Sequence, residues 1–361
     1  MQLYEDRRAL HRIPEVSLCL PKTARYVTES LKQLSCRVFS PIESAVCAFF
    51  DFGAAETIAF RSDMDALPGE EKSGLPFAST HPGRMHACGH DGHMAMLLEL
   101  ARRLEKMTLR VNVLLIFQPG EEGPGGAKPI CDTGLLEEYH VSAIFGLHLW
   151  PGLEKGCLYS RKGSMMSRSC EVDLTVCGKA AHVGKSWEGL DALAACAAFY
   201  TRAVAMERAM DPAIFRLLKF GHMEAGTVRN IIAESARLEG TLRTFDDGVF
   251  EQMHQNMQQI AVQVQEETGC ALRLHLSEGY PAVYNDEKLY EKIEKILPVR
   301  ELAQPNLITE DFSWYQRRVA GVFFFLGLGE TPALHATNFD FDEAVLEQGV
   351  ALLEKIAVNY K

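Results

Sequence analysis

Short apolar runs alternate with amphipathic segments along most of the chain, a pattern that predicts an α/β fold. Helical spacing of apolar residues predicts helices at residues 4–34 (interrupted at residues 12–15), 94–104, 286–297 and 343–358. Buried strands are predicted at Val46–Phe52, Thr57–Phe60, Val111–Phe117, Ala143–Leu149 and Val322–Leu326, of which the first two form a strand pair separated by Gly53.

The pattern changes from about Ser167 to residue 280. Strands at residues 171–176, 215–224, 235–242 and 271–277 are combined with helices at residues 191–205 and 248–267. This β-α-β-β-α-β order is typical of a small antiparallel sheet with two helices on one face. We therefore predict a first domain made of residues 1–166 and 281–361, with residues 167–280 inserted as a second domain.

Composition narrows the choice of protein class. The 361 residues carry a net charge of -11 without a cluster of Lys and Arg, so we expect no nucleic-acid partner. No apolar run approaches the roughly 18 residues of a membrane span, and Met1 to Leu10 lacks the apolar block of a signal peptide. The ten cysteines show no regular spacing. We therefore expect a cytoplasmic protein without a disulfide framework.

The stretch Met85 to His93 concentrates groups that bind transition metals. Cys88 and His90 are two residues apart, so an extended backbone would direct both side chains to one side, where they could share an ion. His93 falls on the first turn of a helix, where capping or packing explains it equally well. A cluster of ordinary loop histidines remains an alternative explanation of the stretch.

Three further segments carry suitable side chains at predicted strand ends, where open α/β sheets bind ligands. Asp63 and Asp65 could orient a metal-bound histidine. Glu121 and Glu122 lie among glycines that free the backbone to bring both carboxylates to one point, one to bind metal and one to move a proton. His148 lies near the end of another strand. His11, by contrast, fits a surface or capping role.

The chain resembles the M20 metallopeptidase family in its amidohydrolase branch, which includes hippurate, N-acyl-amino-acid and auxin-conjugate hydrolases. The matching motifs cover nearly the whole chain in the family's order. They are Leu10 to Glu15, Arg61 to Pro68, Met85 to His93, Gly120 to Gly123, Gly240 to Phe245, Glu310 to Phe312 and His335 to Glu343.

The resemblance implies a catalytic α/β domain of phosphorylase/hydrolase type with a dinuclear metal site, and an inserted ferredoxin-like α+β lid through which two chains form a homodimer. It also implies two divalent ions, zinc or manganese with cobalt as a further option. The residue roles that it implies are Cys88, His90, Glu122, His148 and His335 as metal ligands, Glu121 as general base, His182 as a lid residue that reaches a neighbouring active site, and Asn230 and Arg243 as ligands of the substrate carboxylate.

The expected activity is hydrolysis of the amide bond in small N-acyl amino acids. A dipeptidase or other exopeptidase on the same scaffold is the second hypothesis, and an inactive binding protein is the third. Three departures from the family pattern concern the substrate rather than the metals: Ser186-Trp187 replaces Pro-His, Glu224-Ala225-Gly226 replaces Gly-Gly, and Ala233-Glu234 replaces Pro-Asp.

Overall fold

The computed structural model describes residues 2–360, which form two compact units. The first unit contains the chain up to Met165, Val283–Pro305 and the chain from Glu310 onwards. The second contains Met166–Ala282 together with Asn306–Thr309. The latter segment belongs to the second unit because the Ser167 N–H donates to the carbonyls of Asn306 and Ile308, at 3.0 and 3.1 Å. The division of roles between the units stays a prediction.

Regular elements follow one another closely along the described chain. The strands are β1 (Arg37–Phe39), β2 (Val46–Phe50), β3 (Thr57–Asp63), β4 (Leu67–Pro68), β5 (Arg84–Met85), β6 (Asn112–Gln118), β7 (Val141–Trp150), β8 (Leu158–Ser160), β9 (Gly163–Met166), β10 (Arg168–Cys177), β11 (Leu217–Ala225), β12 (Ser235–Thr244), β13 (Ala271–Leu276), β14 (Val283–Asn285), β15 (Val299–Glu301) and β16 (Ala320–Gly327). The helices are α1 (Gln2–His11), α2 (Pro21–Leu31), α3 (His90–Leu104), α4 (Ala127–Asp132), α5 (Leu135–Glu138), α6 (Ala192–Ala209), α7 (Asp247–Thr268), α8 (Glu287–Glu294), α9 (Ser313–Gln316) and α10 (Ala344–Asn359), with a short 3₁₀ helix at Val183–Glu188.

An eight-stranded sheet organises the first unit, in the order β1-β2-β6-β3-β7-β16-β8-β15. Its central strands β6, β3, β7 and β16 are parallel neighbours, so their carboxyl ends meet at one edge. The five strands predicted for this domain are present. The predicted pairing of the first two is wrong, because β6 lies between β2 and β3 and pairs with both.

Helix α3 carries the metal-capable stretch into the core of the first unit. Its residues Met94 to Leu98 are all buried, and α1 and α10 pack against it. The helix begins after Gly89, whose φ of 84° suits glycine. At Gly92 a Cβ atom would lie 2.9 Å from both Leu149 and Phe341. The absence of a side chain there lets the first turn of α3 lie directly against the end of β7.

The second unit is a four-stranded antiparallel sheet in the order β11-β12-β10-β13. Helices α6 and α7 pack on it and enclose a separate apolar core. Asp191 and Asp246 cap the two helices by accepting hydrogen bonds from Ala194 N and Val249 N. The predicted β-α-β-β-α-β order is therefore confirmed, as is the α/β fold class with a smaller α+β unit.

Within residues 2–360, every helix is too short or too polar to traverse a lipid bilayer.

Candidate metal centre

The parallel strands bring distant side chains to the same level at one edge of the large sheet. Asp63 at the end of β3 lies opposite Gln118 at the end of β6. His148, near the end of β7, lies opposite Phe325 of β16. Helix α3 starts beside this edge with His90, so buried side chains from strand ends and from the start of a helix lie close together.

All five residues predicted as metal ligands lie in one continuous cluster. Cys88, His90 and Glu122 each offer a ligand atom within 4.8 Å of the others. The Nε2 atom of His148 lies 3.4 Å from Cys88 Sγ. The Nε2 atom of His335 lies 3.2 Å from Glu122 Oε1. Residues separated by as many as 247 positions in sequence thus meet at one point, with sulfur, nitrogen and oxygen donors that suit divalent transition metals.

The ring nitrogens show that the cluster is prepared for a cation. His90 Nδ1 donates to the Asp65 carbonyl at 2.8 Å and His148 Nδ1 donates to the Leu149 carbonyl at 2.7 Å. Because a carbonyl only accepts, Nδ1 carries the proton in both rings and Nε2 keeps its lone pair. The His90 Nε2 atom is buried without a hydrogen bond, 4.0 Å from Glu122 Oε1. A buried lone pair of this kind fits a metal ion.

Burial also sets the protonation of these ligands. It lowers the pKa of His90 and of His148, which favours the neutral rings that bind metal. Burial and the Glu122 carboxylate raise the pKa of the Cys88 thiol. A bound cation opposes this effect because it stabilises the thiolate.

His93 lies beside the cluster with both ring nitrogens already engaged. Its Nδ1 bonds Asp63 Oδ1 at 2.7 Å, and its Nε2 accepts from the Leu149 N–H at 2.9 Å. It therefore supports the end of β7 rather than offering a lone pair. This agrees with the packing role that the sequence left open.

Asp65 fixes the loop that carries the two glutamates. Its Oδ1 accepts from Glu121 N at 2.8 Å and its Oδ2 accepts from Glu122 N at 3.1 Å. The two glutamate carboxylates then join different groups. Glu122 meets Cys88 and His90, whereas Glu121 lies within 4.8 Å of Glu310 and Asp311. Burial, followed by Glu310 and Glu122, raises the pKa of Glu121.

His335 is the most accessible residue of the cluster, with about half of its side chain exposed (54%). Its backbone N–H donates to the Ala87 carbonyl at 2.8 Å, which places it beside the segment that carries Cys88. Its φ of 67° is in the left-handed region, which is uncommon for a residue other than glycine. Its hydrogen bond with Glu122 raises the pKa of the imidazole.

The predicted lid residues lie in the second unit. His182 is exposed and caps the 3₁₀ helix, accepting at Nδ1 from Gly184 N at 3.1 Å. Asn230 is also exposed, and its carbonyl accepts from Val183 N at 3.1 Å, so the two residues belong to adjacent segments. An open cavity of about 450 Å³ is lined by their neighbours Val183, Arg229 and Ile231. Arg243 is partly buried on β12, and burial lowers its pKa.

The interpretation of His11 as a surface or capping residue is wrong. Its side chain is 1% exposed, and its ring bonds Asp91 Oδ2 at 2.8 Å and Glu71 Oε1 at 3.1 Å. Two carboxylates that only accept require a doubly protonated ring. Burial opposes that charge, yet the bonds to Asp91 and Glu71 raise the pKa of His11 to about 9. The sequence feature that could have indicated a buried role for His11 is Asp91, an acid directly after His90 to which no role was assigned.

Arg61 forms a buried network of hydrogen bonds and ion pairs that the sequence did not reveal. Its guanidinium bonds Asp63 Oδ2 at 2.8 Å, Gln118 Oε1 at 2.9 Å and Asp311 Oδ1 at 2.7 Å, and it pairs with Glu310 at 3.0 Å. Burial disfavours its charge, but the carboxylates of Glu310, Asp63 and Asp311 raise its pKa above the ordinary value. The available signal was that Arg61 and Glu310-Asp311 both belong to matching motifs.

Fold and site together define a metal-dependent hydrolase. A cluster of metal-capable side chains lies at one edge of the large sheet, and the Glu121 carboxylate lies nearby in a separate group with Glu310 and Asp311. The family model for peptidase family M20/M25/M40 matches residues 59–359. The chain belongs to this family, and it is a metal-dependent hydrolase that acts on amides.

Relatives and solved structures agree with this assignment. The chain is 35% identical to the N-acetyldiaminopimelate deacetylase of Lactococcus lactis subsp. cremoris (strain SK11), over 97% of this chain and 96% of the relative. It is 32% identical to the enzyme of that name from Shouchella clausii (strain KSM-K16), over 98% and 96%.

Among solved structures, the Bacillus subtilis YXEP protein, a dinuclear metal binding peptidase from the M20 family, matches with a TM-score of 0.86 at 29% identity, over 99% of this chain and 96% of that chain. A structure from methicillin resistant Staphylococcus aureus matches with a TM-score of 0.95 at 29% identity, over the same shares. The family and the fold predicted from sequence are confirmed.

The buried His11 leads to a prediction about stability and pH. Its folded pKa of about 9 exceeds the ordinary value of about 6.5, so its contribution is complete below about pH 6.5 and is lost as pH rises through about 9. We expect the free energy of unfolding to fall by up to about 3 kcal/mol between pH 6.5 and 10. In H11Q this part of the decline should vanish, as measured by urea unfolding across the pH range.

The control is H254Q, which changes a histidine of α7 in the second unit. It should keep the wild-type pH dependence. An H11Q profile parallel to wild type would contradict the assigned charge on His11.

Proposed function

We propose that this metal-dependent amidohydrolase cleaves the amide bond of N-acyl-L-amino acids that carry a free carboxylate. The observation that carries the proposal is the separation of the glutamates: Glu122 lies with the ligands, and Glu121 lies beside them in another group. The named activity of the relatives, deacetylation of N-acetyldiaminopimelate, supports an acetylated amino acid as the substrate class.

In this proposal Cys88, His90, Glu122, His148 and His335 hold two divalent ions, zinc or manganese with cobalt as an alternative. When bound, such ions polarise a carbonyl oxygen and acidify water. The Glu121 carboxylate takes a proton from the attacking water and delivers it to the departing amide nitrogen. The backbone bond from Glu121 N to Asp65 fixes the loop from which this carboxylate extends.

His182, Asn230 and Arg243 complete the proposed machinery. Because His182 accepts at Nδ1 from Gly184 N, its Nε2 carries a proton that it can donate to a developing oxyanion. Asn230 and Arg243 bind the substrate carboxylate, for which a guanidinium offers paired donors. We propose that His182 acts on the active site of a second copy of the chain.

The edge strand β11 supports a homodimer through the second unit. Strand β11 ends the small sheet, so one side of its backbone is unpaired within that sheet. Met223 on β11 is a large exposed apolar side chain, as are Leu193 and Tyr200 on α6. The Tyr200 ring lies 5.8 Å from that of Phe220 on β11, and Leu193 lines the same cavity as Ala225 of that strand. The ten free cysteines, six of them buried, support a reducing compartment such as the cytoplasm.

The first test distinguishes the proposed base, Glu121, from the proposed metal ligand, Glu122, by replacing each with glutamine. We expect E121Q to retain two ions per chain and to lower kcat about 10²–10⁴-fold, because it removes only the proton acceptor. E122Q should lose bound metal. Elemental analysis after dialysis and turnover measurements check both variants, and near-normal turnover of E121Q would reject Glu121 as the base.

The second test is a substrate panel of N-acetyl-, N-benzoyl- and aminoacyl-amino acids, with N-acetyldiaminopimelate included. We expect the N-acetyl compounds to give the highest kcat/KM. The matched control is the same compound with its carboxylate converted to an amide, which should lose about 10–100-fold because a charged hydrogen bond of about 1.5–3 kcal/mol is lost. A preference for aminoacyl compounds would favour a dipeptidase, and no turnover would favour a binding protein.

The third test concerns assembly. Analytical ultracentrifugation should give twice the chain mass of 40.2 kDa. The pair of substitutions Y200E and M223K should give the monomer mass, because charges would be buried at the proposed contact. V262K, at a residue of α7 that is 54% exposed, is the control and should remain dimeric. A wild-type monomer would contradict both the dimer and the action of His182 on a second copy.

A further inference from the structure

Asp311 occupies a completely buried position that the proposed chemistry does not use. Its carboxylate accepts from four groups. Gln118 Nε2 lies 2.9 and 2.8 Å from its two oxygens, and Arg61 Nη2 lies 2.7 Å from Oδ1. The backbone N–H groups of Gly126 and Ala127 lie 2.9 and 3.0 Å from Oδ2. A carboxylate with all of these hydrogen bonds holds the backbone segments of its partners in place.

Its partners are the two ends of the glutamate loop, which we define as residues 119–126. Gln118 is the last residue of β6, and Ala127 is the first residue of α4. A Cβ atom at Gly126 would lie 1.8 Å from the Pro119 carbonyl oxygen, so the ends of the loop touch and only glycine fits there. Asp311 thus closes the loop at its base, while Asp65 binds Glu121 N and Glu122 N within it.

We propose that Asp311 is a positioning residue that fixes the Glu121 carboxylate by closing the glutamate loop, with Arg61 as its charge partner. The inference rests on the proposed role of Glu121 as the base. A base must stay within hydrogen-bond reach of the proton that it takes, and a displacement of about 1 Å can cost about 10²-fold in rate. Asp65 and Asp311 come from different segments, and together they restrict the glutamate loop more than Asp65 does alone.

The substitution D311N tests the inference with little change in shape. It replaces one carboxylate oxygen by an NH₂ group. The Oδ2 atom accepts from two backbone donors and the Oδ1 atom from Arg61, so either placement of the NH₂ sets donor against donor. The base of the loop should therefore open, while the Asp65 bonds to Glu121 N and Glu122 N remain.

The experiment compares wild type, D311N, E121Q and the double variant D311N/E121Q. The readouts are kcat and KM for the best N-acetyl-amino acid of the panel, metal content, thermal unfolding, and hydrogen exchange of residues 119–127. We expect D311N to lower kcat about 10–100-fold with KM within about threefold, to retain two ions, and to accelerate exchange in the loop. In the double variant the loss should equal that of E121Q alone, because Asp311 acts through Glu121.

The matched control is D6N, which changes another buried acid of the first unit. Asp6 accepts from Tyr26 Oη at 2.8 Å and from Arg102. Neither Asp6 nor these two partners belong to the glutamate loop. It should lower the melting temperature without lowering kcat or accelerating exchange in the loop. If D311N does not fold, Q118M serves in the same cycle, since it removes only the Gln118 bonds and should lower kcat by a smaller factor.

The outcomes separate the two proposals. Normal kcat in D311N with an inactive E121Q overturns the inference and leaves the base intact. Losses that multiply in the double variant also overturn it, because Asp311 would then act by another route. Normal turnover in E121Q overturns the proposed function instead, and the exchange measurement still decides whether Asp311 closes the loop.

Discussion

The parallel register of β3, β6 and β7 is the constraint on which the metal centre depends. It sets Asp63 opposite Gln118 and places His148 at the same edge, before any loop contributes. Two backbone carbonyls, those of Asp65 and Leu149, then determine which nitrogen of His90 and His148 faces the cluster. The strand ends, helix α3 and the segment between β3 and β4 therefore fix the position and the protonation of the two imidazoles. Loops place Cys88, Glu122 and His335 beside them.

The charge of this region also depends on the cluster. Asp63, Glu310 and Asp311 are buried and pair with the buried guanidinium of Arg61. Two further acids of this region, Asp65 and Glu121, are also buried. Burial raises the pKa of Glu121, Asp65 and Glu310. Several carboxylates buried close together are costly to keep charged. Divalent cations bound nearby would offset that cost, so these buried acids favour occupancy of the proposed metal centre.

Much of this could be predicted from the chain alone, because ligand types and strand periodicity are local signals. The main strands follow from apolar runs. Cys88, His90, Glu122 and His148 stand out as candidate ligands from local segments, whereas His335 follows only from the resemblance to the family. The contacts of Arg61 could not be predicted, since Gln118 and Asp311 lie 57 and 250 residues away. The contacts of the buried His11 involve Glu71 and Asp91, which lie 60 and 80 residues away. Strands as short as β8 and β15 show no periodicity, and the apolar pattern does not indicate that β6 lies between β2 and β3 in the sheet.

The half-exposed His335 gives the centre an asymmetric access route. Cys88, His90 and His148 are buried, so in the proposed metal centre an ion arriving from solvent would meet the His335 imidazole first. The left-handed backbone there costs about 1–3 kcal/mol in a residue with a side chain. Contacts within the fold, such as the bond from His335 N to the Ala87 carbonyl, offset part of that cost. The loop around His335 is thus expected to govern how fast metal is loaded and released, while the buried donors govern how tightly it is retained.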